Sequence, residues 1–456
     1  MENLENLEYE AVKDELFELL DGRQLKQLKQ ILEEMNEFDI AEFLMELENQ
    51  RMAMVFRMLS KSLAAEVFAN LEVDCQEYII NSITDAELGN LLEELYVDDA
   101  VDMMEELPAN VVSRVMRTAT SETRNLINQY LRFPEDSAGS IMTAEFVDLK
   151  KYMSVRESLA RIRKVGPDKE IIYICYVTAA DRRLEGVVTV KDLLLNDDDT
   201  VIEDIMDTNI IYVHTSDDQE EVSEMFSDYD MLAMPVVDTE GRLVGIVTVD
   251  DVIDVMEQEA TEDFEKMAAM LPTERPYLKT GTLTFVKNRI PWLIVLMLSS
   301  TLSGIILDLY ENVYVAVPLL VTLMPMLTGT GGNAGSQAAT LIIRGMAVGE
   351  VEPSDILRVI WKEVCVAACC GVILAVLNYF RIIIMYPGEN LVAAITCAAL
   401  VLTIILAKAL GGTLPIIAKV CKLDPALMAS PLISTLVDVV ALTVYFSISA
   451  QVFGII

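Results

Sequence analysis

Asp438 is the only charged residue between Pro431 and Phe453, in a run that reads PLISTLVDVVALTVYFSISAQVF. The run can cross a bilayer as a helix, which takes about 20 mostly apolar residues. At about 1.5 Å per residue, Asp438 lies roughly 10 Å along that helix from Pro431. A carboxylate at that depth costs on the order of 3 kcal/mol or more unless it faces protein, water or a cation. Two chemistries meet this requirement. One is a carboxyl kept neutral or hydrogen bonded to a neighbouring helix; the other, which we favour, is a cation site in a pore. A second polar stretch, Thr328–Gln337 (TGTGGNAGSQ), interrupts another apolar run, with Pro318 and Pro325 upstream. Asn333 and Gln337 offer oxygens there, and polar backbone at membrane depth is tolerated only against protein or a water-filled cavity. Close glycine packing between helices is the competing and compatible reading. A third stretch, DDVIDVMEQEATEDFEKMAAMLPTER, places Asp250, Asp254 and Glu257 at i, i+4 and i+7 on one helical face, with Glu259, Glu262 and Asp263 further along. Like charges at that spacing weaken an isolated helix and suit counter-cations.

The rest of the chain must position these groups. Of 456 residues, 34 are Lys or Arg and 72 are Asp or Glu, a net charge of −38. The excess is uneven: residues 276–456 carry +1 and residues 1–275 carry −39. An acidic soluble part followed by a membrane part is expected, and such a field repels nucleic acid and attracts cations. Seven cysteines form no CxxC pair and the single histidine, His214, has no thiolate partners. This argues against a zinc site and a disulfide framework and suits a cytosolic soluble part. The acidic, amphipathic start is unlike a signal peptide. No nucleophile, base and oxyanion set appears, so no enzyme is expected.

Residues 1–133 read as successive helices, with apolar residues at three- and four-residue steps and cap-like starts at Thr84-Asp85 and Ser121-Glu122. Strand-like runs follow at Ile171–Val177, Val187–Val190, Ala233–Val237 and Val244–Val249. An internal repeat relates Ser140–Met142 to Asp204–Met206 at an offset of 64, and Gly186–Leu194 to Gly245–Ile253 at an offset of 59. It resembles a tandem pair of CBS domains. That resemblance implies pairing with another copy and, in many cases, an adenine nucleotide such as ATP; a purely structural dimerisation module is the alternative. A linker helix is expected to stop at Pro272 and Pro276. Five spans then follow, near Ile290–Leu309, Val313–Ile343, Val364–Met385, Leu391–Ala409 and Pro431–Phe453. Lys279, Lys287, Arg289, Arg344, Arg358, Lys362, Lys419 and Lys422 cluster on one side of these spans, which places the N-terminus in the cytosol and the C-terminus outside.

The expected fold class is therefore a multidomain membrane protein. It has an all-α acidic domain (1–133), an α/β tandem CBS pair (134–253), an acidic linker helix (254–275) and a five-helix transmembrane domain (276–456). In this order the parts resemble the MgtE family of magnesium channels across nearly the whole chain. The most specific stretches are Gly241–Phe264, Gly329–Gly345 and Pro431–Phe446. The resemblance implies a homodimer in a cell membrane, with a pore between two membrane halves and Asp438 as its carboxylate. It implies a plug helix at about Asp254–Leu271. It also implies regulatory Mg2+ ligands at Asp98, Asp102, Glu220, Asp230, Asp250, Asp251, Asp254, Glu259, Glu262 and Asp263. The neighbouring Asp98 and Asp99 leave the register of the first two open by one residue. Mg2+ keeps several waters and is held by one or two carboxylates, so two Asp438 side chains would suit a hydrated ion. A broader carrier of Co2+ or Mn2+, and a membrane-anchored nucleotide sensor without transport, are the alternatives.

Overall fold

Among the described residues up to 130, apolar residues at helical spacing wind ten helices, from α1 (Glu2–Asp21) to α10 (Ser121–Tyr130), and no strand. The starts are capped as the side chains dictate. Thr84 and Glu87 close a reciprocal capping box on α7 (Asp85–Glu94), and Thr120 caps α10. Such caps satisfy amide groups that a helix start otherwise leaves orphaned. The computed structural model describes residues 2–273, 277, 278 and 280–455. These form two compact units, Met1–Met256 and Glu257–Ile456. Pro276 and Lys279 lie outside the described residues.

The repeat becomes two three-stranded sheets. The first holds β1 (Val147–Leu149), β2 (Ile174–Thr178) and β3 (Leu184–Thr189); the second holds β4 (Val213–His214), β5 (Ala233–Val237) and β6 (Leu243–Thr248). In each sheet the first pairing is parallel and the second antiparallel. Helices α11 (Val155–Val165) and α14 (Gln219–Tyr229) keep the offset of 64, and β2 and β5 the offset of 59. The residues lost between the repeats therefore fall between helix and second strand. Met142 packs where a side chain on Gly245 would stand, and Met206 does the same at Gly186. Each repeat thus closes on the other through one methionine and one glycine. The short strands β1 and β4 carry too few residues for alternation to show. Val190 and Val249, expected in strands, open α12 (Val190–Leu195) and α15 (Val249–Met267) instead. The cause is Thr189 and Thr248, whose hydroxyls bond Asp192 and Asp251 and turn the chain into a helix. A short α13 (Ile202–Ile205) completes the pair. One apolar core runs from the N-terminal helices into the second repeat through Met142, Val222, Phe226 and Val247, and a separate core fills the first repeat around Val147, Cys175 and Val188.

The acidic linker helix α15 is shorter than expected. It ends at Met267, not at the prolines, because Ala269 takes a left-handed φ of 54°.

In the second unit, α16 (Thr282–Leu309), α17 (Glu311–Ala316), α18 (Leu319–Ala347), α19 (Ile356–Met385), α20 (Asn390–Val420) and α21 (Ser430–Phe453) follow. Among the described residues, four segments, those containing α16, α19, α20 and α21, are long and apolar enough to cross a membrane. The expected second span breaks at Val317 and resumes as α18, whose Thr, Asn, Ser, Gln and Gly content lowers its hydropathy. Helices α19 and α20 run past the expected limits; α20 continues through Gly411, Gly412 and Pro415 for 31 residues.

Candidate functional site

In the membrane unit the glycines and the polar side chains of α18 separate onto different faces. Gly331, Gly332 and Gly335 are buried. A Cβ on Gly331 would stand 2.7 Å from Thr403 Cγ2, one on Gly332 3.2 Å from Ser434 Oγ, and one on Gly335 2.8 Å from Ile433 Cγ2. These three glycines let α18 approach α20 and α21 closely, which is the helix-packing reading. Asn333 and Gln337 face the other way and are exposed, in line with Gly329, whose Cβ position is open. The glycine-packing reading thus describes one face of this stretch, and Asn333 and Gln337 lie on the other.

Asp438 is half-buried on α21, one turn from Ser434 and next to Val437. Val437 packs against Gly331 and Gly335. No side chain among the described residues offers the Asp438 carboxylate a hydrogen bond or an ion pair. Nearby polar groups on this helix are matched: Tyr445 bonds Thr396 at 3.1 Å, and Ser447 bonds Tyr310 at 2.7 Å. The hydrogen-bonded alternative for Asp438 finds no partner among the described residues.

The acids of the first unit gather around α8 (Val97–Glu106) and the start of α15. Burial, then the charges of Asp99 and Asp251, push Asp98 well above the usual carboxylate range. Burial, then Asp251 and Glu145, push Asp99 up to about 6. Loss of hydration against the surrounding protein, then Asp99, Glu105 and Asp251, move Asp102 to about 7, although solvent still reaches its side chain. Burial raises Asp251 to about 6 against the hydrogen bonds from Thr248. Glu170 rises to about 8, from burial and then Asp251 and Asp250. Asp98 Oδ1 and Glu170 Oε2 are buried without a partner. Like charges held this close favour protons or a cation, and two orphaned carboxylate oxygens fit the latter. No three carboxylates among the described residues converge as ligands of a bare ion, so an ion here would keep part of its water shell.

Asp98, Asp102, Asp250, Asp251 and Asp254 thus fall in one neighbourhood. Asp99, the open register alternative, joins it, as do Glu145 and Glu170, which the sequence reading did not single out; Glu170 comes close only through the fold of the first repeat. Asp251 has a structural duty as well, since it accepts a hydrogen bond from Thr248 at the start of α15, as Asp192 accepts from the N-cap Thr189 of α12. Glu220 and Asp230 lie at opposite ends of α14, and Asp230 terminates that helix with a left-handed φ of 50°. Ten residues of helix put them about 15 Å apart, so they do not share one ligand set. Glu259 is half-buried on α15.

Glu262 and Asp263 belong to the second unit. Lys266 Nζ lies 2.7 Å from Glu262 Oε1 and 2.7 Å from Asp424 Oδ2. Against burial, which would lower it, the bonds to Asp424 and Glu262 raise the Lys266 ammonium above its ordinary value. Burial, then Asp424, raise Asp263. Met267 packs beside Ile343, Ala407, Ile433 and Val437. A lysine of the chain itself, not foreseen from the acidic pattern, thus ties the end of α15 to the loop before α21.

A cavity of about 410 Å³ in the CBS pair is lined by Phe146, Asp148, Arg161, Val165, Lys169, Thr178 and Arg182, among others. Arg161 bonds Asp148, and Lys150 bonds Thr178 at 2.7 Å. Burial would raise Asp148, but Arg161 and Lys150 hold it below its ordinary value. Cationic side chains, one carboxylate and an aromatic ring around one cavity suit a nucleotide's phosphates, ribose and base.

Comparison with known proteins follows this division. A family described as "MgtE: Divalent cation transporter" matches residues 324–448, one described as "MgtE intracellular N domain" matches 35–136, and a CBS domain matches 202–258. The chain is 37% identical over 438 residues to the magnesium transporter MgtE of Thermus thermophilus, covering 95% of this chain and 97% of the relative. It is 29% identical to the protein of the same name from Bacillus subtilis, covering 98% of each. Among solved structures, the soluble part of a magnesium transporter superposes with a TM-score of 0.53 at 32% identity, covering 55% of this chain and 99% of that one. The cytosolic domain of the Mg2+ channel MgtE in complex with ATP gives 0.51 at 38% identity, covering 53% and 99%.

Proposed function

The chain belongs to the MgtE family, a family of transporters and not enzymes, and on that premise we propose that it carries Mg2+ across a cell membrane past Asp438, Asn333 and Gln337. The observation that carries this reading is the carboxylate of Asp438, which has no partner among the described residues and stands on the helix that packs the glycine face of α18. A hydrated Mg2+ held through its water shell by one or two such carboxylates avoids the ion's reluctance to dehydrate. The second carboxylate would come from a second copy, so the working unit is a homodimer. Its N-termini lie in the cytosol and its C-termini outside, by the distribution of basic residues.

Cytosolic Mg2+ closes the path in this proposal. Neighbouring carboxylates about 4 Å apart repel by roughly 4 kcal/mol at an effective dielectric of about 20. The neighbourhood of Asp98, Asp102, Asp250, Asp251 and Asp254 is therefore the first candidate sensor, and its orphaned oxygens support that role. Glu220, Asp230, Glu259, Glu262 and Asp263 are secondary. The cavity beside Arg161, Lys169 and Arg182 is the proposed seat of ATP or a related adenine nucleotide. A broader cargo that includes Co2+ or Mn2+ is the second reading, favoured by the divalent cation description of the matching family. An anchored nucleotide sensor without transport leaves Asp438 without a role.

Flux into liposomes tests the proposal. Purified wild-type protein should admit Mg2+, and Asp438→Ala should stop it while the protein stays folded, because the change removes a charge and little volume. Equal flux through both proteins would refute the assignment. Uptake of Co2+ or Mn2+ in the same vesicles ranks the cargo.

A further inference from the structure

The conduction reading leaves a second pair of ionisable groups in the membrane unit unused. Lys408 on α20 and Glu363 on α19 are buried, with Nζ 3.3 Å from Oε2. Each is the other's only side-chain partner among the described residues. Charged groups at such depth are expensive and mark function more often than mere packing. A buried ion pair adds little net stability, but losing one partner strands a charge, and its best-attested use is to specify register.

Next to the pair the seam is built on glycine. One turn beyond Lys408, a Cβ on Gly412 would stand 3.2 Å from Val359 Cγ1 and 3.3 Å from Glu363 Cγ. On the other side of α20, a Cβ on Gly411 would stand 2.2 Å from the Gly335 carbonyl oxygen. Gly335 in turn faces Ile433 and Val437, and Val437 precedes Asp438. Helices in contact through glycine have few side chains to interlock, so shape alone resists sliding weakly. A charge pair in a low-dielectric interior resists it strongly, because displacement opens the pair with no water to replace it.

We infer that Glu363 and Lys408 are positioning residues for conduction: their ion pair sets the register of α20 between α19 and α18, and through Gly411, Gly335 and Val437 it sets where the Asp438 carboxylate stands. This rests on the assignment of Asp438 to the ion path. The test compares wild type, Glu363→Gln, Lys408→Gln and the exchanged double variant Glu363→Lys/Lys408→Glu, each full-length and checked by size exclusion. Mg2+ flux should fall about tenfold or more in each single variant and largely return in the exchange. Register is read without transport by oxidising Asn378→Cys against Cys397, since Asn378 Nδ2 lies 3.8 Å from Cys397 Sγ. Disulfide formation should slow in the single variants and recover in the exchange. If the neutral variants do not fold, Glu363→Asp keeps the charge and shortens the reach by one methylene, and it should lower flux and cross-linking together. Wild-type flux in a folded single variant, or lost flux with unchanged cross-linking, would overturn the inference. Wild type that passes no Mg2+ while cross-linking follows the pair would refute the conduction reading and leave the register pin standing.

Discussion

Replacing Gly411 by alanine probes a close backbone approach in the membrane unit. The added Cβ would sit 2.2 Å from the Gly335 carbonyl oxygen, 3.0 Å from its carbon and 3.2 Å from Ala338 Cβ. Carbon and oxygen settle at about 3.3 Å or more, so α18 and α20 must part by about 1 Å. The obstructing atoms are helix backbone, and no rotamer change relieves them. Overpacking of this kind costs about 1–3 kcal/mol, against roughly 1 kcal/mol gained from alanine's helix propensity. Because the obstructing atoms are rigid backbone, the cost falls at the upper end, and a net loss of about 2 kcal/mol lowers the unfolding midpoint of a unit of this size by about 4–8 °C. Both tryptophans, Trp292 and Trp361, lie in the membrane unit, so their fluorescence in a thermal scan of detergent-solubilised protein reports that unit alone. Gly329→Ala is the control: nothing lies within 4 Å of its Cβ position, and its midpoint should hold or rise. A Gly411→Ala midpoint within about 1 °C of wild type, or an equal drop in Gly329→Ala, would refute the reasoning.

The raised carboxyls of the first unit predict a pH dependence. Asp99, Asp102, Asp251 and Glu170 bind protons more tightly in the folded arrangement than in the unfolded chain. Their contribution is therefore greatest near pH 4 and is lost as pH rises through about 6 to 8. In metal-free buffer, amide exchange of α8 in the full-length protein should be faster at pH 8.5 than at pH 6 after correction for intrinsic rates, and Mg2+ should slow it again. Lys266→Gln removes the charge between Glu262 and Asp424. Exchange at the C-terminal turn of α15 should then quicken in low Mg2+ and recover in high Mg2+; unchanged rates would mean that the lysine does not hold this turn. Arg161→Ala opens the cavity beside Asp148 and removes a cation, so calorimetric ATP affinity should fall about tenfold, as for a lost charge-assisted hydrogen bond. Unaltered affinity would place the nucleotide elsewhere.

What could be read from the chain alone was local or periodic. Helical spacing announced the succession of N-terminal helices, though not their number, and two fixed offsets announced the repeated sheets. The lone charge in Pro431–Phe453 singled out Asp438, because burying a charge is costly in any fold. Strand ends were misjudged at Val190 and Val249, where β propensity lost to the capping bonds of Thr189 and Thr248. The bounds expected for the second span missed the break at Val317, because the glycine-rich α18 suits both a span and a helix seam. Other features had no signature in sequence order. Glu170 meets Asp251 across 81 positions, and Lys408 meets Glu363 across 45. The pattern of acids along α15 could not say that Lys266 would neutralise Glu262 while Asp98 kept an orphaned oxygen. Spacing along a helix specifies which side chains share a face; which charges end up within reach of one another depends on how the faces pack, and only the tertiary fold decides that.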